Sequence, residues 1–330
     1  MSQFFYSIYG PFIERYIDHK QNLGFKYTHV EWSFRQFDKL AYERDESEVG
    51  ISKDLAEEWG QKRLAETDKT RAHRVSLLNC FSSYLMHLGY TNSCILPSPK
   101  VVSNYTPYIY SRHEITNLFA ACDDLNVSNG RPDSALYSAP ALFRLLYGCG
   151  IRLSEALNLH YKDVDLVNNY LTLRNCKNGQ DRLVPISDSL AEVCKAYLNF
   201  RNTLVIKNAS PYFFITPTGE PFRKDRPYRW FRKILYRAGI PHGGKHLGPR
   251  LHDFRHTFSV HALASMAEAG VDLYYSLPIL SQYLGHRSLD STDKYVRLTS
   301  DMYPALIAGA NKLCPYLFPE LLTQVDNEAD

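Results

Sequence analysis

Apolar positions recur at helical spacing through the first hundred residues. They group as Phe12, Ile13, Tyr16 and Ile17; then Trp32, Phe34, Phe37, Leu40 and Ala41; then Leu55, Trp59 and Leu64; then Val75, Leu77, Leu78, Phe81, Tyr84, Leu85 and Leu88. This pattern predicts four helices in a small bundle, with Gly24, Gly50 and Gly89 between or after them and Ser52 and Thr67 as N-caps. The stretch LPSPKVVSNYTP, residues 96–107, holds three prolines and no helical period, so it reads as an extended connection. Helical patterns resume around 111–123 and 134–148. The period then changes: YLTLRNC, NGQ and DRLVPI read as a strand, an Asn-Gly turn and a second strand. Further helices are expected near 188–203, 225–238, 253–269 and 276–284. The chain is therefore expected to be mainly α with a small β-hairpin or sheet. Its expected divisions are a helical domain over 1–96, a linker over 97–107, a second domain over 108–302 and a tail over 303–330.

Charge divides the chain further. Residues 1–100 carry 13 basic and 13 acidic side chains, residues 101–300 carry 24 against 17, and residues 301–330 carry 1 against 5. The middle is where a polyanion would bind. No run of eighteen apolar residues occurs, and the N-terminus MSQFFYSIYGPFIERYIDHK has acids and a proline where a signal peptide needs an unbroken apolar stretch. The seven cysteines are scattered and form no CxxC pair, which argues against a disulfide framework and a zinc site. The expected location is cytoplasmic and not at a membrane.

Several short segments carry candidate chemistry, and each has a plain alternative. In GCGIRLSEALNL, Arg152 precedes a helix for which Ser154 is a natural N-cap and Glu155 opens the first turn; such an arginine also serves as a surface cation. Lys177 sits beside the Asn178-Gly179 turn, where a long amine can reach over a cleft or simply be solvated. PRLHDFRHTF sets His252 and Arg255 three apart, on one face of a helix and able to address one anion. His256 and His261 share that neighbourhood, but no acid or cysteine completes an HExxH or CxxC pattern, so no metal site is read there. LGHRS offers His286 behind a glycine turn, and nine residues on comes Tyr295, which on an amphipathic helix would ordinarily be core.

Taken in order, Arg152, Lys177, His252, Arg255, His286 and Tyr295 resemble the catalytic set of the tyrosine recombinases, or phage-type integrases. The resemblance covers about residues 110–300 and extends to the surrounding GIRLSEALNL, LHDFRHTF and YLGH. The longer GVDLYYSLPILSQYLGH is similar to the integrase-like transposases of mobile elements. A phosphodiester repels nucleophiles, and its transition state carries extra charge on the nonbridging oxygens, which two guanidiniums fit better than ammoniums. The resemblance gives this role to Arg152 and Arg255, with His286 as a further donor. It makes Lys177 the general acid for the leaving 5′ oxygen, His252 the candidate base and Tyr295 the nucleophile that forms a 3′-phosphotyrosyl bond. Glu155 becomes a supporting carboxylate that holds the array. No metal, ATP or other cofactor is implied. Tyr283 and Tyr303 are the nearest rival tyrosines.

DNA contact has separate support in FRKDRPYRWFRKILYRAG, residues 222–239. Seven cations, Arg223, Lys224, Arg226, Arg229, Arg232, Lys233 and Arg237, face one acid, and four of them align on a helical face away from Trp230, Phe231, Ile234 and Leu235. The resemblance further implies that the N-terminal bundle is a core-binding, SAM-like domain that closes a clamp on double-stranded DNA. It also implies that the apolar tail docks on a neighbouring protomer, in a homo-tetramer on two DNA sites, with accessory or partner recombinases as further candidates. The expected function is site-specific recombination for integration, excision or transposition of a mobile element. A type IB topoisomerase and a non-catalytic DNA-binding regulator on the same scaffold are the alternatives.

Overall fold

The computed structural model describes residues 5–25, 27, 30–101, 106–127, 135–174, 176, 179, 181–206, 210–244, 247–286, 288–289, 292 and 295. The chain forms two compact units, 1–105 and 106–330. Among the described residues no helix is long and apolar enough to cross a membrane.

The first unit holds α1 (Gly10–Asn22), α2 (Glu31–Glu43), α3 (Lys53–Gly60) and α4 (Asp68–His87). Ser52 Oγ accepts from the Leu55 N–H and Thr67 Oγ1 from the Thr70 N–H, both at 3.2 Å, so one orphan donor at each of these two helix starts finds the expected cap. Their core is aromatic, with Tyr9, Tyr16, Phe34, Phe37, Trp59 and Phe81 all buried. Two apolar residues assigned to helix faces by their period lie outside this core. Trp32 is 65% exposed, and Leu64 is fully exposed because α3 ends at Gly60, four residues before it. An ion pair of Arg74 with Glu66, both side chains buried, braces the loop between α3 and α4.

In the second unit, α5 (Arg112–Val127), α6 (Ala139–Gly148), α8 (Asp188–Thr203), α9 (Asp225–Arg237) and α10 (Asp253–Glu268) enclose one large apolar core. The short α7 (Leu153–Leu157) follows α6 after a tight reversal. The sheet is antiparallel in the order β1 (Val164–Asp165), β2 (Tyr170–Leu173), β3 (Arg182–Pro185), with Leu171 opposite Val184 and Leu173 opposite Arg182. β1 was not expected: two residues are too few to show a period of two. A second, smaller core joins α10 to α11 (Leu273–Leu284) through Val260, Leu263, Leu280, Leu284 and Tyr295. α9 is amphipathic as its pattern implies: Pro227, Trp230, Phe231, Ile234 and Leu235 are buried and the cations lie outside.

Candidate active site

The reversal between α6 and α7 rests on Gly150, whose φ is +57°; a Cβ there would come within 2.3 Å of the Phe258 ring. Only glycine accepts that backbone shape without strain and leaves room for the ring. α7 then begins earlier than its sequence suggested. Arg152, not Ser154, is the N-cap, because Glu155 falls at the third helical position and its Oε2 accepts the Arg152 backbone N–H at 2.9 Å. Glu155 Oε1 also accepts from Arg152 Nη1 at 2.7 Å. A second guanidinium arrives from β3: Arg182 donates Nη1 to Oε1 at 3.2 Å and Nη2 to Oε2 at 2.9 Å. Burial alone would raise the Glu155 carboxyl, but the two guanidiniums and the backbone N–H outweigh it and pull the group down to about 2.

Arg255 stands at the third position of α10 and is 2% exposed. Its Nη1 donates to the Gly150 carbonyl at 2.8 Å, and its Nη2 donates to the Leu284 carbonyl at 2.7 Å and to His286 Nε2 at 3.0 Å. One side chain thus ties the α6–α7 reversal, α10 and the end of α11 together. Burial, and then the nearby charge of Arg152, lowers its pKa to about 10, which leaves it a cation at neutral pH.

α11 ends on Gly285 in the left-handed conformation, which turns the chain so that His286 follows directly beside Arg255. An arginine N–H only donates, so His286 Nε2 must accept and the ring proton of the neutral imidazole lies on Nδ1, 2.8 Å from Thr292 Oγ1. Burial, then the charges of Arg255, Arg152 and Arg182, pushes His286 down to about 4, so it stays neutral at physiological pH.

Tyr295 is 4% exposed. Its ring stacks near His286 with centroids 6.3 Å apart, and its hydroxyl lies 3.2 Å from His256 Nδ1. His252 is not part of the helix that carries Arg255. It is the exposed N-cap of α10, with its ring 4.9 Å from that of His256. The structure therefore gathers Arg152, Glu155, Arg255, His286 and Tyr295 into one cluster, with His252 at its edge. Lys177 lies outside the described residues, as does Asn178; Gly179 is in the left-handed conformation, and its N–H donates to the Cys176 carbonyl at 2.8 Å.

Two further residues that touch this cluster were given no part in the chemistry from the sequence. Arg182 shares its strand parity with Val184 and Ile186, so its one charge on the inward face of β3 was a readable signal. His256 lies one turn after His252 and one residue after Arg255, but periodicity alone does not say where α10 starts.

A model described as the phage integrase family matches residues 110–302. The chain belongs to that family. The integrase is also similar, at 31% identity over 88% of its length and 93% of the relative's, to y4rB of Sinorhizobium fredii, which bears a provisional integrase/recombinase name. Tyrosine recombinase XerA of Pyrococcus furiosus is 36% identical over 169 residues, which is 51% of this chain and 53% of its own. The fold matches the XerH site-specific recombinase bound to palindromic difH substrate in a post-cleavage complex, with a TM-score of 0.56 at 19% identity over 86% of this chain and 77% of that one. It matches a lambda integrase tetramer bound to a Holliday junction equally well, at 0.56 and 14% identity over 86% and 76%. The chain is thus a tyrosine-type site-specific recombinase, an enzyme that breaks and rejoins DNA.

Within the integrase, Tyr283 packs against the small core that holds Leu284 and Tyr295. Its ring stacks on Phe258 at 5.5 Å, and burial, then the neighbouring Cys149, raises its pKa well above the ordinary phenol value. Tyr303 and the tail lie outside the described residues. On the outer face of α9, Arg223, Lys224, Arg229, Arg232, Lys233 and Arg237 are exposed and Arg226 is half-buried over the Phe222 ring. Asp225 pairs with Arg223 and Arg229, Arg237 reaches Asp124, and Arg232 contacts His242. Two acids, Asp225 and Asp124, cannot offset seven cations, so the face stays positive.

Proposed function

We propose that Tyr295 is the nucleophile of a recombination that passes through a 3′-phosphotyrosyl intermediate. The observation that carries the reading is its hydroxyl on His256 Nδ1, beside a neutral His286 and a buried Arg255. In the cleavage step the Tyr295 oxygen attacks phosphorus and its proton passes to His256, whose Nδ1 already touches the hydroxyl. The bond to the 5′ oxygen breaks, and that oxygen takes a proton from Lys177. The phosphodiester energy is kept in the new bond, so a 5′ hydroxyl of a second strand reverses the step and completes the exchange.

Arg152 and Arg255 hold the nonbridging oxygens. Among the described residues Arg152 spends one side-chain donor on Glu155, which leaves most of its fork for phosphate. Arg255 has more of its donors committed to carbonyls and contributes chiefly a fixed positive charge at short range. His252, exposed at the start of α10, adds a donor at the rim, where the helix dipole also favours an anion. The positive outer face of α9 binds duplex backbone. The first unit acts as the core-binding domain, and four protomers act on two DNA sites, as suits a fold similar to a lambda integrase tetramer on a Holliday junction. The biological role in this reading is movement of a mobile element.

Two differently marked duplexes bearing the same target site test the reading. A recombinase of this kind joins the marks of one duplex to the other. Relaxation of a supercoiled circle with no exchange of marks would instead make the enzyme topoisomerase-like.

A further inference from the structure

Arg182 is not among the residues that the catalytic reading uses, yet one guanidinium there links three segments. Its side chain is 12% exposed. Both Nη atoms engage the two oxygens of Glu155, and Nη1 also lies 3.1 Å from Cys176 Sγ at the end of the hairpin's first arm. On its other side, Gly285 packs so closely that a Cβ there would sit 3.2 Å from Arg182 Nη1. The hairpin, the start of α7 and the turn after α11 thus meet on one planar group.

The position of Glu155 explains what this contact does. Its carboxylate also receives the backbone N–H and Nη1 of Arg152. A carboxylate held by a single arginine tends to draw that arginine into a two-pronged pair. Here the fork from β3 occupies both oxygens, and among the described residues Arg152 keeps one side-chain contact and the rest of its donors. An ammonium carries the same charge but cannot span two oxygens in a plane.

We infer that Arg182 is a positioning residue of the recombination site: it fixes Glu155 so that Arg152 keeps its donors for the scissile phosphate. The inference rests on the reading of Tyr295 and Arg152 given above. Arg182 touches neither DNA nor the nucleophile in this role, so it governs the rate of cleavage and leaves duplex affinity nearly untouched.

The test uses the full chain with Arg182→Met and Arg182→Lys, each alone and combined with Glu155→Gln. Single-turnover formation of the covalent adduct on a nicked duplex and affinity for the intact duplex are both measured. Arg182→Met is expected to slow adduct formation by roughly 100-fold, the scale of a misplaced catalytic group, with affinity changed by less than about threefold. Arg182→Lys retains the charge and most of the bulk, so it carries the test if the Met variant fails to fold; it too should be slower than the parent by at least about tenfold, because only the fork is lost. With Glu155→Gln already present, replacing Arg182 should cost little more. A Lys variant as fast as the parent, or losses that multiply in the double variant, would overturn the inference. Tyr295→Phe run in parallel separates the two readings. An adduct formed by that variant removes the site reading itself, whereas its absence alongside parent-like Arg182 variants removes the role of Arg182 alone.

Discussion

Replacing Glu155 by Gln removes the negative charge that Arg152 and Arg182 share while preserving its shape, and the cost can be worked from the carboxyl's own titration. Its folded-state pKa is about 2 against an ordinary 4.5, a gap of about 2.5 units, so at 1.36 kcal/mol per unit the ionised form stabilises the second unit by about 3 kcal/mol. The side chain is 6% exposed, so solvent does little to dilute the effect. The sign follows from proton binding. On acidification the unfolded state takes up the proton first, so the contribution is complete above about pH 4.5 and is lost as pH falls toward 2. Glu155→Gln should therefore be less stable by about 3 kcal/mol at pH 7, a shift of roughly 6–12 °C in the melting temperature of a unit this size. The gap should shrink to about half by pH 3, because there the unfolded parent's carboxyl is already protonated while the folded one is still largely ionised. Calorimetry of both proteins from pH 7 to pH 3 reads this directly. A gap of the same size at both ends, or none at pH 7, would refute the claim that one carboxylate compensates two guanidiniums.

Gly150→Ala should lower the stability of the second unit by about 2 kcal/mol or more, since it combines left-handed strain with a Cβ 2.3 Å from Phe258; thermal unfolding checks it, and a parent-like melt would contradict it. It should also slow cleavage, because the Gly150 carbonyl that shifts is the one that holds Arg255. On α9, Arg229→Ala and Arg232→Ala should each weaken binding to all sequences alike and reduce the salt slope of affinity by about one. An unchanged slope would make this face ordinary solvated surface.

Much of the fold was legible because its signals are local. Ser52 and Thr67 read as caps from a side-chain oxygen one turn before a free N–H, and the amphipathic pattern of α9 separated Trp230 and Phe231 from the cations before any packing was known. Where the period misled, it did so at ends. Leu64 continues the apolar spacing of α3 past Gly60, yet nothing packs there once the helix has stopped, and Arg152 replaces Ser154 as cap because a tertiary partner holds Glu155 at the third position. The candidate site was legible as an ordered set of residue types with matching spacing. The pairing of Glu155 with Arg182 was not, since 27 residues separate them and only the docking of the hairpin on α7 brings them together. The contact between His256 and Tyr295 was hidden for the same reason: they stand 39 positions apart in the chain.

The most direct measurement is the identity of the residue joined to DNA. A duplex nicked just 3′ of the cleavage point loses its short 5′-hydroxyl fragment after attack, which traps the covalent complex, and mass spectrometry of the digested complex locates the linkage. The geometry around His256 and His286 predicts a phosphotyrosyl peptide at Tyr295, and Tyr295→Phe that still binds the duplex but yields no adduct. A linkage mapped to Tyr283, to Tyr303 or to any other residue, or an adduct that persists in Tyr295→Phe, would contradict it.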